Sequence, residues 1–99
     1  MAVYHIFMTE EANTDLAYYR AFERKLIATA MRAQLTDSPA VETKNRKRLR
    51  DNPVARWELR SGHYRIFYEV DETVLRVTIV AVGHKDHNRL FIRGREVQL

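Results

Sequence analysis

The chain has 99 residues, 45% hydrophobic and 30% charged, with no cysteine and a net charge of +4. That describes one globular domain with a single modest core, and excludes a disordered chain, a disulfide scaffold and a cysteine-based zinc site. The opening MAVYHIFMTEE lacks the basic start and long apolar run of a signal peptide, and no segment approaches the roughly 18 apolar residues of a membrane span, so a cytoplasmic protein is expected.

Val3 to Met8 has strand composition. Thr9 followed by Glu10 and Glu11 starts a helix, with the threonine as N-cap and acids in the first turn. Leu16, Tyr19, Phe22, Leu26, Ala30, Met31 and Leu35 recur at helical spacing and predict an apolar stripe packed on a sheet. The spacing fits one long helix or two joined near Tyr19–Phe22. Asp37-Ser38-Pro39 ends the helical region. Residues 40–55 are polar and basic and close on Asp51-Asn52-Pro53, a turn signal. Lys44, Arg46, Lys47, Arg48 and Arg50 crowd into seven positions there. Charge is uneven along the chain. Residues 1–42 hold four basic and six acidic side chains, a balance of −2; residues 43–65 hold eight and two, a balance of +6; the rest is neutral with five of each. The surplus just before and inside the central hairpin is the footprint of a polyanion partner, against the blander reading of a solvated loop.

From Arg56 to Lys85 the pattern turns to period two. Trp57 and Leu59 alternate with Arg56, Glu58 and Arg60; after a Ser61-Gly62 turn, Tyr64, Ile66, Tyr68 and Val70 alternate with His63, Arg65, Phe67 and Glu69. The expected register places Arg60 opposite His63 and Glu58 opposite Arg65. A third strand runs to Lys85, with Gly83 and Lys85 on one face and His84 turned inward. Asp86-His87-Asn88 makes a turn, and Arg89–Ile92 with Glu96–Leu99 around Gly94 predicts a small terminal hairpin. Sequential strands with helices on one face give an α+β sandwich whose other face is polar and open.

Such a face suits phosphate, because guanidinium presents a fork of donors to it. Cutting RNA without a metal needs a base for the 2′-hydroxyl, cations for the developing charge and an acid for the leaving oxygen. Arg56, Arg60, Arg65 and Lys85 offer charge. Glu58, His63, His84 and His87 can move protons, although Glu58 and Arg65 also read as a plain cross-strand ion pair. His84-x-x-His87 lacks a third ligand, so no metal site and no cofactor are expected. The tyrosines read as core and His5 as structural.

The ordered set WELRSGHYRIFYEV and VTIVAVGHKDHNRLF resembles the RelE/ParE superfamily of bacterial type II toxins. The carriers are Leu59-Arg60, Gly62, Tyr64-Arg65-Ile66-Phe67-Tyr68 and Val82-Gly83-His84-Lys85. The resemblance implies a RelE-like fold over residues 1–99 as a single domain, an antiparallel β-sheet with two N-terminal helices packed on one face. It implies a toxin that cleaves mRNA on the ribosome as a metal-independent endoribonuclease, silenced by a cognate antitoxin protein. Two alternatives share the fold: a non-catalytic inhibitor of DNA gyrase, and a degenerate member that only binds its antitoxin. By resemblance, Arg56 and Glu58 stand where RNA-cleaving members have a basic pair, Arg65 is a phosphate or transition-state contact, and Lys85 is the basic residue after "GH". Phe91 stands where some members have a catalytic tyrosine. The expected assignment is therefore Arg65, Lys85, Glu58 as base and His87 or His84 as acid. Lys44, Arg46, Lys47, Arg48, Arg50, Arg56 and Arg60 are expected to bind RNA.

Overall fold

Strand β1 (His5–Met8) passes directly into helix α1 (Glu10–Ala17), and Thr9 makes the changeover. Its backbone is extended and its hydroxyl accepts the Ala12 N–H at 3.0 Å, so the side chain caps a helix whose first turn carries Glu10 and Glu11. The helical region is two helices. Helix α2 (Ala21–Leu35) restarts at Arg20, whose backbone N–H is accepted by Glu23 Oε2 at 3.0 Å. The computed structural model describes residues 2–99.

Six strands follow: β2 (Arg46–Arg48), β3 (Trp57–Ser61), β4 (Tyr64–Asp71), β5 (Arg76–Asp86), β6 (Arg89–Ile92) and β7 (Arg95–Val97). They pair in that order, antiparallel throughout, and β1 joins β5 as a parallel neighbour. Strand β2 forms inside the segment read as a basic loop. Its three cationic residues have no apolar alternation, and pairing with β3 supplies the hydrogen bonds that define it.

The hairpin β3–β4 forms as expected but in a register two residues away. Arg60 faces Arg65, Leu59 faces Ile66 and Glu58 faces Phe67. The turn is Gly62-His63 rather than Ser61-Gly62, with Gly62 at φ 58, the conformation glycine brings to the first position of a two-residue hairpin loop. A shift of two keeps every side chain on its face, so the apolar pattern could not detect it. Between β4 and β5 the register slips at Phe67/Tyr68, where Phe67 pairs with Ala81 and Tyr68 with Ile79. Val80 is the extra residue of this bulge. It brings Val77, Ile79 and Val82 onto one face despite the broken alternation.

That face meets the helices. Ile27, Met31 and Leu35 of α2 pack with Trp57, Leu59, Ile66, Tyr68, Val77, Ile79 and Val82. Phe22 and Leu26, counted in the helical stripe, are instead 60% and 53% exposed, because α2 turns Ile27 to the sheet. The opposite face is not open. Phe67, Ala81, Leu90 and Ala55 are buried there, packed by Leu49, Val54, Val80, Ile92 and Val97. The loop before β3 and the terminal hairpin β6–β7 therefore cover much of the sheet. Asn52 folds that loop, its Oδ1 accepting from Val54 and Ala55 and its Nδ2 donating to Arg50 and Ala55 carbonyls. Gly83 shows how closely β6 lies: a Cβ there would collide with the Phe91 carbonyl oxygen and Ile92 Cγ1.

Strand β5 has β1 and β6 on one edge, paired at residues 76–79 and 84–86, which leaves a gap between them. Asp15 of α1 fills it. Its Oδ2 accepts the Val82 N–H at 3.1 Å, and Oδ1 lies 2.8 Å from Arg93 Nε in a charge contact. Burial raises its pKa, opposed by the Val82 hydrogen bond and Arg93.

Candidate functional site

The titratable groups gather at one end of the sheet, around the Gly62-His63 turn. Tyr64 pairs with His84, and the Lys85 N–H donates to the His63 carbonyl at 2.8 Å, so the end of β5 lies against this turn. Arg65 points its guanidinium back to the same place. Its Nη1 donates to the carbonyls of Gly62 at 2.8 Å and Tyr64 at 2.9 Å. Its Nε is buried without a hydrogen-bond partner among the described residues. Desolvation lowers the Arg65 pKa, Glu58 raises it and Arg60 lowers it.

On the helix side of this end, His84 Nδ1 and Tyr19 Oη are 2.7 Å apart. Tyr64 Oη donates to Glu23 Oε1 at 2.9 Å. The His63 ring lies 4.2 Å from that of Tyr64 and 6.1 Å from that of His84. Tyr18, Tyr19, Arg20, Glu23, His63 and His84 line a cleft of about 290 Å³. Burial is the main cause that lowers the His84 pKa, with the His63 imidazole adding to it and Asp86 and Glu23 opposing. Burial pushes the Tyr19 hydroxyl well up, and burial with Glu23 pushes Tyr64 up to about 12. The Arg20 N–H and the Tyr64 hydroxyl hold Glu23 below the usual carboxylate range. Tyr19 and Tyr64 are thus neutral donors and acceptors, Glu23 is an anion, and His84 favours the neutral imidazole.

The predicted residues are distributed differently from the expectation. Glu58 is 2% exposed and accepts from Arg60 Nε at 2.8 Å; the expected pairing with Arg65 is replaced because the register places Arg65 opposite Arg60. A carboxylate so enclosed is poorly placed as a base. His84 faces the helices, as the alternation near Lys85 implied. His87 stands in the β5–β6 turn at φ 50, its side chain 94% exposed and its Nδ1 2.7 Å from Asp86 Oδ1. Phe91 pairs and stacks with His84, its ring centroid 5.7 Å away, so it lies on the face opposite Arg65.

The basic cluster divides between the faces. Arg46 turns to α2, donating to the Gln34 carbonyl and side chain, and Arg48 lies over Trp57 at 5.7 Å. Strand β2 places them opposite Leu59 and Trp57, and Arg46 is thereby held as structure while Arg48 stays exposed. Lys47 sits opposite Glu58, while Lys44 and Arg50 are exposed in the flanking loops. Arg56 is exposed beside Glu69. The structure therefore places Arg60, Arg65, Lys85 and His84 at one end of the sheet, with Arg65 on the face opposite His84, and adds His63, which sequence reasoning noted as titratable but left out of the site. The signal for His63 was the glycine before it, which marked it as a turn residue once the register was known.

A two-helix hairpin packed on a predominantly antiparallel sheet, with its basic and titratable groups at the sheet end, defines a toxin of the RelE/ParE type from type II toxin–antitoxin systems. Residues 6–89 match the family described as the ParE toxin of the type II toxin–antitoxin system parDE, and the chain belongs to that family. No curated protein matches the sequence. Among solved structures, the chain is similar to one in the toxin–antitoxin complex RelBE2 from Mycobacterium tuberculosis, with 25% identity and a TM-score of 0.75 over 86% of this chain and 94% of that one. Among the described residues, no helix is long and apolar enough to cross a membrane and no group of three or more acidic, histidine or cysteine side chains is arranged to hold a metal ion.

Proposed function

We propose that this toxin blocks translation as a metal-independent endoribonuclease that cuts mRNA on the ribosome in the cytoplasm, and that a cognate antitoxin protein silences it. The observation that carries the reading is Arg65. Its guanidinium is half-buried and fixed by Nη1 on the Gly62 and Tyr64 carbonyls, which presets a fork of donors for a phosphate oxygen at the sheet end. Arg60 stands directly opposite to share the anion's charge. The antitoxin reading is supported by the likeness to a chain solved in a toxin–antitoxin complex. It is also supported by the groove where exposed Leu26 meets Lys25, Arg32 and Arg60, which suits an acidic amphipathic helix.

A second reading, non-catalytic inhibition of DNA gyrase, is favoured by the ParE family match and by the enclosure of Glu58, the carboxylate expected to act as base. Controlled expression with separate readouts decides between them. New mRNA 5′ ends on ribosomes with unchanged supercoiling support cleavage. Lost supercoiling with intact mRNA supports gyrase. Growth without any defect leaves only the member that binds its antitoxin.

A further inference from the structure

Cleaving RNA without a metal needs two proton-transfer groups within reach of one phosphodiester. Beside Arg60 and Arg65 stands Glu58, enclosed and engaged by Arg60. The helix-side cleft at the same sheet end offers two imidazoles with a guanidinium beside them. We propose that His63 and His84 form a two-histidine proton-transfer centre for RNA transphosphorylation, with Tyr19 positioning His84. The inference rests on the RNA-cleaving reading above and relocates its chemistry from Glu58 and His87 to this cleft, so that Arg65, on the other face of the same sheet end, holds a neighbouring phosphate of the strand and not the scissile one.

The roles follow from surroundings. His84 is half-buried and favours its neutral form, which suits the base. For Nε2 to accept a proton, Nδ1 must carry the ring proton and donate it to Tyr19 Oη, 2.7 Å away. Nε2 then keeps its lone pair, and no described residue occupies it. With His84 as base, His63 is the second imidazole of the cleft, exposed in the turn with its ring 4.2 Å from that of Tyr64 and 6.1 Å from that of His84, within reach of the same phosphodiester. His63 is therefore the acid. Arg20 lines the cleft and meets the phosphate charge.

In the step, the ribose 2′-oxygen attacks phosphorus and its proton passes to His84 Nε2. The bond from phosphorus to the 5′-oxygen breaks as His63 gives that oxygen a proton. The products are a 2′,3′-cyclic phosphate and a 5′-hydroxyl, and the two imidazoles recover their starting states by exchange with water. No metal, oxidant or second substrate enters. The charged and titratable groups facing His84 are Tyr19 from the helix junction, Glu23 from α2, His63 from the turn and Asp86 on its own strand.

The test is single-turnover cleavage of ribosome-bound mRNA by the full chain across roughly pH 5 to 9, a span that brackets the histidine range. His63→Ala and His84→Gln should each lose on the order of 10²–10⁴-fold in rate, the usual worth of a positioned acid or base. The parental profile should be bell-shaped, its acid limb removed in His84→Gln and its alkaline limb in His63→Ala. Tyr19→Phe should lower the rate without weakening binding, and should move the acid limb, an effect loss of packing alone does not produce. The 5′ fragment should end in a 2′,3′-cyclic phosphate, and His5→Ala should cut at the parental rate. Thermal melting confirms that each variant is folded. A folded His63→Ala and a folded His84→Gln that cut at the parental rate and profile overturn the centre while leaving RNA cleavage standing. A parental protein that cuts no ribosome-bound mRNA overturns both.

Discussion

Tyr19 Oη and His84 Nδ1 lie 2.7 Å apart and tie the α1–α2 junction to the end of β5. Tyr19 belongs to the apolar stripe and is buried in the core, ringed edge-on by Tyr18, Tyr64 and His84, while its hydroxyl reaches the imidazole. Such a bond contributes about 1 kcal/mol net, and leaving the imidazole nitrogen without its partner costs somewhat more. Tyr19→Phe is expected to lower stability by about 1–2 kcal/mol, measured by urea unfolding. An unchanged midpoint would show that water replaces the hydroxyl without loss.

The same imidazole sets a pH dependence. Its folded pKa is lowered by burial, so between that value and the unfolded pKa near 6.5 the unfolded chain binds more protons. Stability is fully present above about pH 6.5 and falls as pH drops below it. Urea midpoints should decline from pH 7.5 to pH 5.5 in the parental protein and decline less in His84→Gln. Equal slopes in the two proteins would place the titration elsewhere.

Asp15 separates a hydrogen bond from a charge. It accepts the Val82 N–H in the gap of the β5 edge and approaches Arg93 of the β6–β7 turn. Asp15→Asn keeps an acceptor for Val82 and removes a carboxylate that burial disfavours, so it should change stability by less than about 1 kcal/mol. Asp15→Ala strands a buried N–H and should cost about 2–3 kcal/mol. Thermal unfolding of the pair checks this. Equal losses would show that the charge, and not the hydrogen bond, holds the gap closed.

Gly83 belongs to the motif Val82-Gly83-His84-Lys85 for a steric reason. Gly83→Ala places a methyl against the Phe91 carbonyl oxygen and Ile92 Cγ1. Backbone cannot yield as a flexible side-chain tip does, so β6 must lift from β5, at about 1–3 kcal/mol. Melting curves should show the loss, and a variant as stable as the parent would mean that β6 is loosely held.

Much of this architecture was legible in the sequence, and the misreadings have specific causes. The Thr9 cap, the Gly62 turn and the alternation of Trp57 to Val70 are local signals, and each produced its element. The register of β3 on β4 was missed because a slip of two leaves both faces unchanged, yet it decided which cation meets Glu58. The second apolar cluster was missed because Leu49, Val54 and Ala55 are scattered through a basic segment, and Leu90, Ile92 and Val97 through a terminal hairpin. Only tertiary folding brings these two segments over Phe67. His63 joined the site when its backbone was placed against Lys85, a relation between residues 22 positions apart that no local pattern carries.

Arg65 tests whether the sheet end binds phosphate at all. Its Nη1 is held by two carbonyls, its Nε has no partner, and burial disfavours its charge. Arg65→Ala removes this buried charge without opening the core, because Arg65 lies on the face away from Tyr64 and Ile66. The fold should stay intact, with a melting temperature within a few degrees of the parent, as for a change of about 1 kcal/mol or less. Growth arrest on controlled expression should disappear. Arg65→Lys should also be impaired, since one ammonium cannot reach the Gly62 and Tyr64 carbonyls and a phosphate together as a planar guanidinium can. Binding of the antitoxin should survive both changes, which separates lost toxicity from lost structure. A folded Arg65→Ala protein that still arrests growth would remove this guanidinium from the site, and with it the observation on which the phosphate reading stands.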